Sequence, residues 1–299
     1  MQRRVPFWVA GWTAWAVSGC ASPAPERLSD PGDRSGEAGS DGPYGAAVLT
    51  VRAPARVTEV VLVDLVYPAD DDLRPAVRDA PAVVWIAGGA VARERYRWLA
   101  VHLASRGVAV AMPEAPLGLA LLAPGNGAVA LDALRDASSP GGPLPNLVAA
   151  DGPVGVGGHS LGGVAAARQW TQDLAVDALF LAAAYPAPGD PVETEQRGRP
   201  VLVLYGSTDR RLDLVRFDDE LARFGGPTFV GEIDGMNHYG WTDDATEREL
   251  RGDGPARGDL EVQRQAVQHA LDVYLDAVFA GDDPHEPLAA VADPELTWR

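Results

Sequence analysis

The chain has 299 residues, of which 46% are hydrophobic, so it is long enough to bury one large core or two small ones. All 25 positively charged residues are arginine, and a sequence without lysine excludes Schiff-base chemistry and a P-loop lysine. A formal net charge of −17 argues against nucleic acid as a partner, because binding to phosphates needs clustered cations. The single cysteine excludes an intrachain disulfide and a cysteine metal cluster.

Residues 1–20 have the pattern of a secretory leader. Two arginines precede an apolar stretch, residues 5–17, that is too short to span a bilayer. The stretch ends in Val17-Ser18-Gly19-Cys20, which resembles a bacterial lipobox, whose cysteine is lipidated and becomes the mature N-terminus. We therefore expect residues 1–19 to be a lipoprotein signal peptide and Cys20 to carry a membrane anchor. Because alanine rather than aspartate follows Cys20, the resemblance implies the outer membrane in a Gram-negative cell envelope, with the rest of the chain outside the cytoplasm.

Two segments are predicted to lie outside the folded body. Residues 20–46 are rich in Ser, Pro, Gly and acidic residues and poor in large apolar ones, so they are expected to form a disordered tether. Residues 282–299 are polar and contain proline, and are expected to be a C-terminal tail. The body is therefore predicted to span residues 47–281.

The body alternates apolar stretches with amphipathic ones, which is typical of an α/β domain with a doubly wound, mostly parallel sheet. Buried strands are predicted at residues 47–52, 59–67, 82–87, 108–113, 154–157, 178–184, 200–206 and 229–233. Helices are predicted at residues 94–106, 128–137, 161–167 and 260–280. Only residues 185–199 separate two of these strands, which is too few for a large lid domain.

The sequence Gly158-His159-Ser160-Leu161-Gly162 fits the G-x-S-x-G nucleophile elbow, with an apolar strand before it and an alanine-rich segment after it. On these residues the chain resembles the α/β-hydrolase superfamily. The resemblance implies that Ser160 is a nucleophile and that the backbone N–H of Leu161 helps to bind an oxyanion. The alternative is an ordinary strand-to-helix turn in which Ser160 caps the helix.

Gly88-Gly89-Ala90 follows the predicted strand at residues 82–87. In the superfamily this loop supplies the second oxyanion-hole N–H, which leaves the donor open between Gly89 and Ala90. The family commonly has histidine where this chain has Ala87, but the hydrogen bond comes from the backbone. The alternative is a pair of glycines that only turns the chain.

Asp209 follows the predicted strand at residues 200–206, and His238 follows the one at residues 229–233. The order Ser160, Asp209, His238 is the one expected of a triad in this fold. The competing acids are Asp213, Asp234, Asp243 and Asp244. A metal site made from His238 and nearby aspartates lacks a second histidine at a ligating offset, so no metal is expected.

A helix pattern that includes Arg95, Tyr96, Leu99 and Ser105 resembles the branch of dienelactone hydrolases, chlorophyllases and platelet-activating-factor acetylhydrolases. The resemblance implies a serine ester hydrolase of the carboxylesterase type that needs no cofactor and acts on a small-molecule ester or acyl substrate. Dienelactone hydrolases themselves use cysteine as the nucleophile, whereas this chain has Ser160, so the resemblance does not extend to their particular substrate. A thioesterase, lactonase or peptidase on the same triad is an alternative, as is a catalytically silent envelope lipoprotein that acts as a binding module.

One more segment is open to two interpretations. Residues 116–124 form an apolar loop after the predicted strand at 108–113, at the edge of the sheet where ligands bind in α/β proteins. The loop either forms one wall of an acyl pocket or is a short buried helical turn.

Overall fold

The computed structural model describes residues 24–28, 42–56, 59–115, 125–173, 175–190 and 198–299. The predicted signal peptide, the lipidation site Cys20 and the apolar loop at 116–124 lie outside the described residues. Those three expectations therefore stay predictions.

Within the described residues, ten strands form one sheet. In chain order they are β1 (Glu26–Leu28), β2 (Gly45–Arg56), β3 (Glu59–Ala69), β4 (Ala82–Ile86), β5 (Ala109–Pro113), β6 (Val154–His159), β7 (Ala178–Ala182), β8 (Val201–Gly206), β9 (Thr228–Ile233) and β10 (Leu296–Trp298).

The order of the strands in the sheet is β1-β2-β3-β5-β4-β6-β7-β8-β9-β10. The neighbours from β5 through β9 pair in parallel, whereas the pairs that involve β1, β2, β3 or β10 are antiparallel. This confirms the predicted doubly wound, mostly parallel sheet. From β4 the chain moves to β5 on one side and then to β6 on the other. Ligands of such sheets bind beyond the carboxyl ends of the strands at this reversal.

Seven α-helices lie in the described residues: α1 (Arg97–Ser105), α2 (Asn126–Ser138), α3 (Leu161–Gln172), α4 (Leu214–Leu221), α5 (Glu247–Leu250), α6 (Leu260–Ala280) and α7 (His285–Ala289). Short 3-10 segments lie at Arg93–Tyr96, Ala222–Phe224 and His238–Trp241. Of the described helices, none has both the length and the apolar character needed to cross a bilayer.

The helices cover both faces of the sheet. Apolar residues of α2, α3 and α4 pack on one face, and those of α1, α6 and α7 pack on the other. All five residues of β4, of β5 and of β7 are buried, as expected of strands covered on both faces.

The C-terminal segment differs from the prediction of a polar tail at 282–299. It contains α7 and β10, and β10 pairs antiparallel with β9 from Leu296–Ile233 to Trp298–Gly231. Leu288, Val291 and Leu296 are buried in the core that α1 and α6 cover. These apolar residues are too widely spaced to give a periodic signal, but they hold the segment against the core, and its end adds the edge strand β10 to the sheet.

The predicted tether at 20–46 also contains structure. Glu26–Leu28 form β1 and pair with β2, which begins at Gly45 rather than at the predicted residue 47. Arg27 donates hydrogen bonds to the carbonyl oxygens of Asp70 and Asp71, and Leu28 packs against the core. A three-residue strand is fixed by these distant contacts, which the local composition does not reveal.

Candidate active site

Ser160 stands between the end of β6 and the beginning of α3, beyond the carboxyl edge of the sheet. Its backbone has φ 54° and ψ −122°, which is an unfavourable conformation for a residue with a side chain. Two backbone hydrogen bonds hold Ser160 there. Its N–H donates to the carbonyl oxygen of Ala182 at 2.9 Å, and its carbonyl oxygen accepts from the N–H of Val164 at 3.2 Å. This strained strand-to-helix turn is the geometry of a nucleophile elbow.

The glycines of the motif allow the turn to pack tightly. A Cβ atom on Gly158 would lie 2.5 Å from the backbone of Gly162. A Cβ atom on Gly162 would overlap the carbonyl oxygens of Ile86 and Ala87, at the end of β4. The motif therefore brings the serine turn into direct contact with the loop that follows β4.

The two candidate donors in the loop after β4 have different surroundings. A Cβ atom on Gly89 would lie 2.7 Å from Cδ1 of Leu161, so the Gly89 backbone packs against the first residue of α3. Ala90 is exposed and has φ 61°. Gly89 thus lies against Leu161, at the helix N-terminus that attracts negative charge.

Asp209 and His238 lie on neighbouring loops at the same edge of the sheet and touch. The Nδ1 atom of His238 is 2.7 Å from Oδ2 of Asp209, and their side chains are 6% and 1% exposed. The other oxygen of Asp209 accepts the backbone N–H groups of Arg211 at 2.7 Å and Leu212 at 3.0 Å. The carboxylate is therefore fixed on both sides and holds the imidazole in one orientation.

The competing acids have other partners. Asp213 caps α4, and Asp234 accepts a hydrogen bond from Ser207 at 3.0 Å. Asp243 accepts the N–H groups at the beginning of α1, and Asp244 pairs with Arg95. Burial raises the pKa of Asp243, and the two N–H groups of α1 oppose that rise. Within the described residues, no group of three or more histidine, cysteine or acidic side chains is arranged to hold a metal ion.

His159 links the elbow to His238. Its ring is 1% exposed and its centroid lies 4.6 Å from that of His238. Burial, and then the neighbouring His238 ring, hold the pKa of His159 well below its usual value, so its ring is neutral. The ring contact places His238 beside the residue that precedes Ser160.

Two residues near this site are not among the candidate site residues predicted from the sequence. Tyr96 accepts a hydrogen bond from the Gly88 N–H at 2.9 Å, in the loop that carries Gly89. Asp253 accepts hydrogen bonds from the residues that follow Asp209 and His238. The helix pattern around Tyr96 is the only sequence signal for the first residue, and the second has none.

Comparisons with known proteins agree with the fold. The sequence model described as the Alpha/beta hydrolase family matches residues 82–265. No curated protein matches the sequence of this chain. Among solved structures, a ferulic acid esterase from Streptomyces cinnamoneus is similar, with a TM-score of 0.68 and 20% sequence identity. The match covers 87% of this chain and 97% of that one, so the likeness concerns the fold as a whole.

Proposed function

Because the chain belongs to the alpha/beta hydrolase family, we propose that it is a serine hydrolase that cleaves carboxylic esters through Ser160, His238 and Asp209. The observation that carries this proposal is the 2.7 Å contact between His238 and Asp209 on the edge of the sheet that holds Ser160 in its strained turn. The resemblance of the 94–106 segment to the dienelactone hydrolase, chlorophyllase and acetylhydrolase branch supports esters as the substrate class.

The proposed reaction has two stages. In the first, His238 accepts the proton of the Ser160 hydroxyl while the oxygen attacks the ester carbonyl carbon. The tetrahedral intermediate collapses, and His238 gives the proton to the departing alcohol, which leaves an acyl group on Ser160. In the second stage, His238 removes a proton from water, the resulting hydroxide attacks the acyl carbon, and the acid product leaves as Ser160 regains its proton.

Backbone N–H groups are proposed to stabilise the oxyanion of both tetrahedral intermediates. Leu161 supplies one N–H from the first turn of α3, where the helix dipole favours negative charge. We assign the second N–H to Gly89 rather than to Ala90. The packing of Gly89 against Leu161 supports this choice, since both donors must point to one oxygen atom.

Labelling with a fluorophosphonate tests the proposal. We expect the full-length protein to gain the mass of one phosphonyl group and the Ser160→Ala variant to gain none. Ser207→Ala is a matched control, because Ser207 lies in the Asp209 loop and bonds to Asp234 instead. A protein that is neither labelled nor active on p-nitrophenyl esters of rising chain length would contradict the proposal and favour a silent binding module. Thioesters, lactones and peptide amides in the same assay would decide between acyl substrates.

We also propose that Cys20 anchors the protein in the bacterial cell envelope. The support is the sequence alone: a basic region, an apolar stretch and small residues before the cysteine. We expect the protein from a bacterial host to fractionate with membranes and to carry the mass of a lipid, and the Cys20→Ser variant to lack both. An unlipidated wild-type protein would contradict the anchor without affecting the proposed chemistry.

A further inference from the structure

The residue pair Asp253-Gly254 lies between the loops that carry Asp209 and His238. Asp253 is 8% exposed although it is acidic. Its Oδ1 atom accepts the N–H of Arg210 at 3.3 Å and that of Gly254 at 2.7 Å. Its Oδ2 atom accepts the N–H of Tyr239 at 3.3 Å. Arg210 follows Asp209 directly and Tyr239 follows His238 directly, so one carboxylate connects the two loops.

Gly254 contacts the residue that precedes Asp209 and the residue that precedes His238. Its carbonyl oxygen accepts a hydrogen bond from Nδ2 of Asn237 at 3.0 Å. A Cβ atom on Gly254 would overlap the carbonyl oxygen of Thr208, so the two backbones are in close contact. Thr208 precedes Asp209 and Asn237 precedes His238. The pair therefore touches both chain neighbours of Asp209 and both chain neighbours of His238.

The charge of Asp253 suits this position. A buried carboxylate is unfavourable unless hydrogen bonds compensate for its lost hydration, and here three backbone N–H groups do so. Hydrogen bonds to a charged acceptor are stronger than those between neutral groups. The buried carboxylate of Asp253 thus joins the two loops through backbone N–H groups.

The two loops also touch without Asp253. The N–H of Thr208 donates to the oxygen of Met236 at 3.1 Å, and the Thr208 hydroxyl donates to the same oxygen at 2.9 Å. These bonds lie before Asp209 and before His238 in the chain. On the far side of each residue, Asp253 joins the backbones of the two loops through Arg210 and Tyr239. The Arg211 guanidinium also lies over the Tyr239 ring, 5.1 Å from its centroid, but this contact involves two long side chains rather than the backbone.

We propose that Asp253 is a positioning residue that keeps Oδ2 of Asp209 at hydrogen-bond distance from Nδ1 of His238. This inference rests on the proposed function, in which that bond orients the catalytic base. Displacement of a catalytic group by about 1 Å is enough to lower a rate by about a hundredfold. Asp253 touches no reacting atom and acts through the two loops.

The test compares Asp253→Asn with Asp177→Asn in the full-length protein. The asparagine keeps the shape of Asp253 but places an NH₂ group against one of the N–H donors. Asp177 also accepts a backbone N–H, that of Val154 at 3.0 Å, but at the opposite edge of the sheet, where β6 begins. The control therefore reports the cost of losing a carboxylate–amide bond away from the site.

Two quantities are measured for each variant. The first is ester hydrolysis, for which we expect Asp253→Asn to lower kcat by about tenfold or more with KM within about twofold. The second is the proton NMR signal of His238 Nδ1–H, which lies far downfield when the proton is held by a carboxylate. We expect the signal to move upfield or disappear in Asp253→Asn and to stay in place in Asp177→Asn.

Each result decides the inference. An unchanged NMR signal in Asp253→Asn would overturn the inference, and so would the absence of the signal from the wild-type protein. If the wild-type protein is active, a kcat that the Asp253→Asn substitution leaves unchanged would overturn it as well. If the wild-type protein hydrolyses nothing and resists the fluorophosphonate, the proposed function fails, while the NMR comparison still decides whether Asp253 positions His238. Should Asp253→Asn not fold, Asn237→Ser removes the bond to Gly254, the other residue of the pair. We then expect a smaller shift of the same signal and a severalfold loss of kcat, and an unchanged signal would overturn the inference.

Discussion

Tyr96 Oη lies 2.9 Å from Nδ1 of His159, so a side chain at the start of α1 touches the residue that precedes Ser160. The same oxygen accepts the Gly88 N–H at 2.9 Å. Burial raises the pKa of Tyr96, which keeps its hydroxyl protonated near neutral pH. The hydroxyl group therefore makes hydrogen bonds to the Gly88 N–H and to Nδ1 of His159 at the same time. One phenol thereby connects the loop of Gly89 to the elbow.

The Tyr96→Phe variant should lose activity without losing substrate affinity. The substitution leaves the buried Gly88 N–H without its Tyr96 partner, which loosens the adjacent Gly89 N–H, the proposed oxyanion donor. Since an oxyanion donor acts mainly in the transition state, we expect kcat to fall about 10- to 100-fold with KM within about twofold. Steady-state kinetics on p-nitrophenyl esters measure both parameters.

Tyr274→Phe is the matched control for this variant. The Tyr274 hydroxyl is also buried and bonds to the backbone of Leu179 and Pro200, but where β7 and β8 begin, away from the site. We expect the control to reduce the free energy of unfolding and to leave kcat unchanged. Equal losses of kcat in the two variants would show that Tyr96 acts only through general stability.

The neutral state of His159 predicts how stability depends on pH. Its pKa is lowered in the folded protein by burial, by the His238 ring and by Arg95, so the folded state resists protonation. The unfolded chain takes up a proton below about pH 6.5, so this residue makes folding less favourable as the pH falls below that value. Above pH 6.5 both states are neutral and the effect vanishes.

His159→Gln removes this titration while keeping a side chain that can hydrogen-bond to Tyr96. Between pH 7.5 and 5.5 we expect the wild-type protein to lose about 1 kcal/mol more unfolding free energy than the variant. Urea unfolding at both pH values gives the comparison, in which carboxylates common to both proteins cancel. Parallel pH profiles for the two proteins would mean that His159 takes up a proton in the folded state as easily as in the unfolded one.

Asp209→Asn tests the choice of acid. The amide cannot stabilise an imidazolium, and its NH₂ group favours the wrong tautomer of His238, so we expect kcat to fall by about 10⁴. Asp234→Asn is the control, because Asp234 lies in the loop before His238 but bonds to Ser207. Its kcat should stay within about tenfold of the wild-type value. A large loss confined to Asp234→Asn would identify that residue as the acid.

The parts of the site that the sequence predicts are those with local signals. Ser160 is marked by glycines that the turn requires, and Asp209 and His238 each follow an apolar strand, so their common edge of the sheet follows from the fold. The proposal of Gly89 rather than Ala90 as the second donor rests on the contact of Gly89 with Leu161. That contact joins two distant segments, so the sequence does not reveal it. A motif fixes which residues lie in the turn but not which neighbour packs against it.

The remaining features depend on contacts between distant segments. Asp253 lies in an irregular segment, where an aspartate is usually solvated, and the approach of the Asp209 and His238 loops gives it its long-range partners. β1 and β10 have three residues each, too few for a periodic pattern, and exist because β2 and β9 offer free edges. On α6 the burial is the reverse of what hydrophobicity alone suggests: the apolar Val262 is 39% exposed, and the polar Gln263 is buried. Gln263 is buried because its side chain donates to the carbonyl oxygens of Asp234 and Arg257, which a distant segment and a loop supply.

The backbone of Ser160 predicts opposite effects for its two smallest replacements. Glycine adopts φ 54° and ψ −122° without steric cost, whereas alanine keeps the Cβ atom that causes the strain. We therefore expect Ser160→Gly to have an unfolding free energy about 1 kcal/mol or more above that of Ser160→Ala. Both variants lack the hydroxyl, so the difference between them measures the backbone alone. Chemical denaturation of the two inactive proteins gives it.

Ser207 provides the matched position, since its backbone lies outside the left-handed region. There the larger conformational freedom of glycine in the unfolded chain should dominate, and Ser207→Gly should be less stable than Ser207→Ala by about 0.5–1 kcal/mol. A reversal of sign between the two positions would locate stored strain in the serine turn. If alanine were the more stable replacement at both Ser160 and Ser207, the backbone of the serine turn would not lower the free energy of unfolding. The glycines around Ser160 would then serve close packing alone.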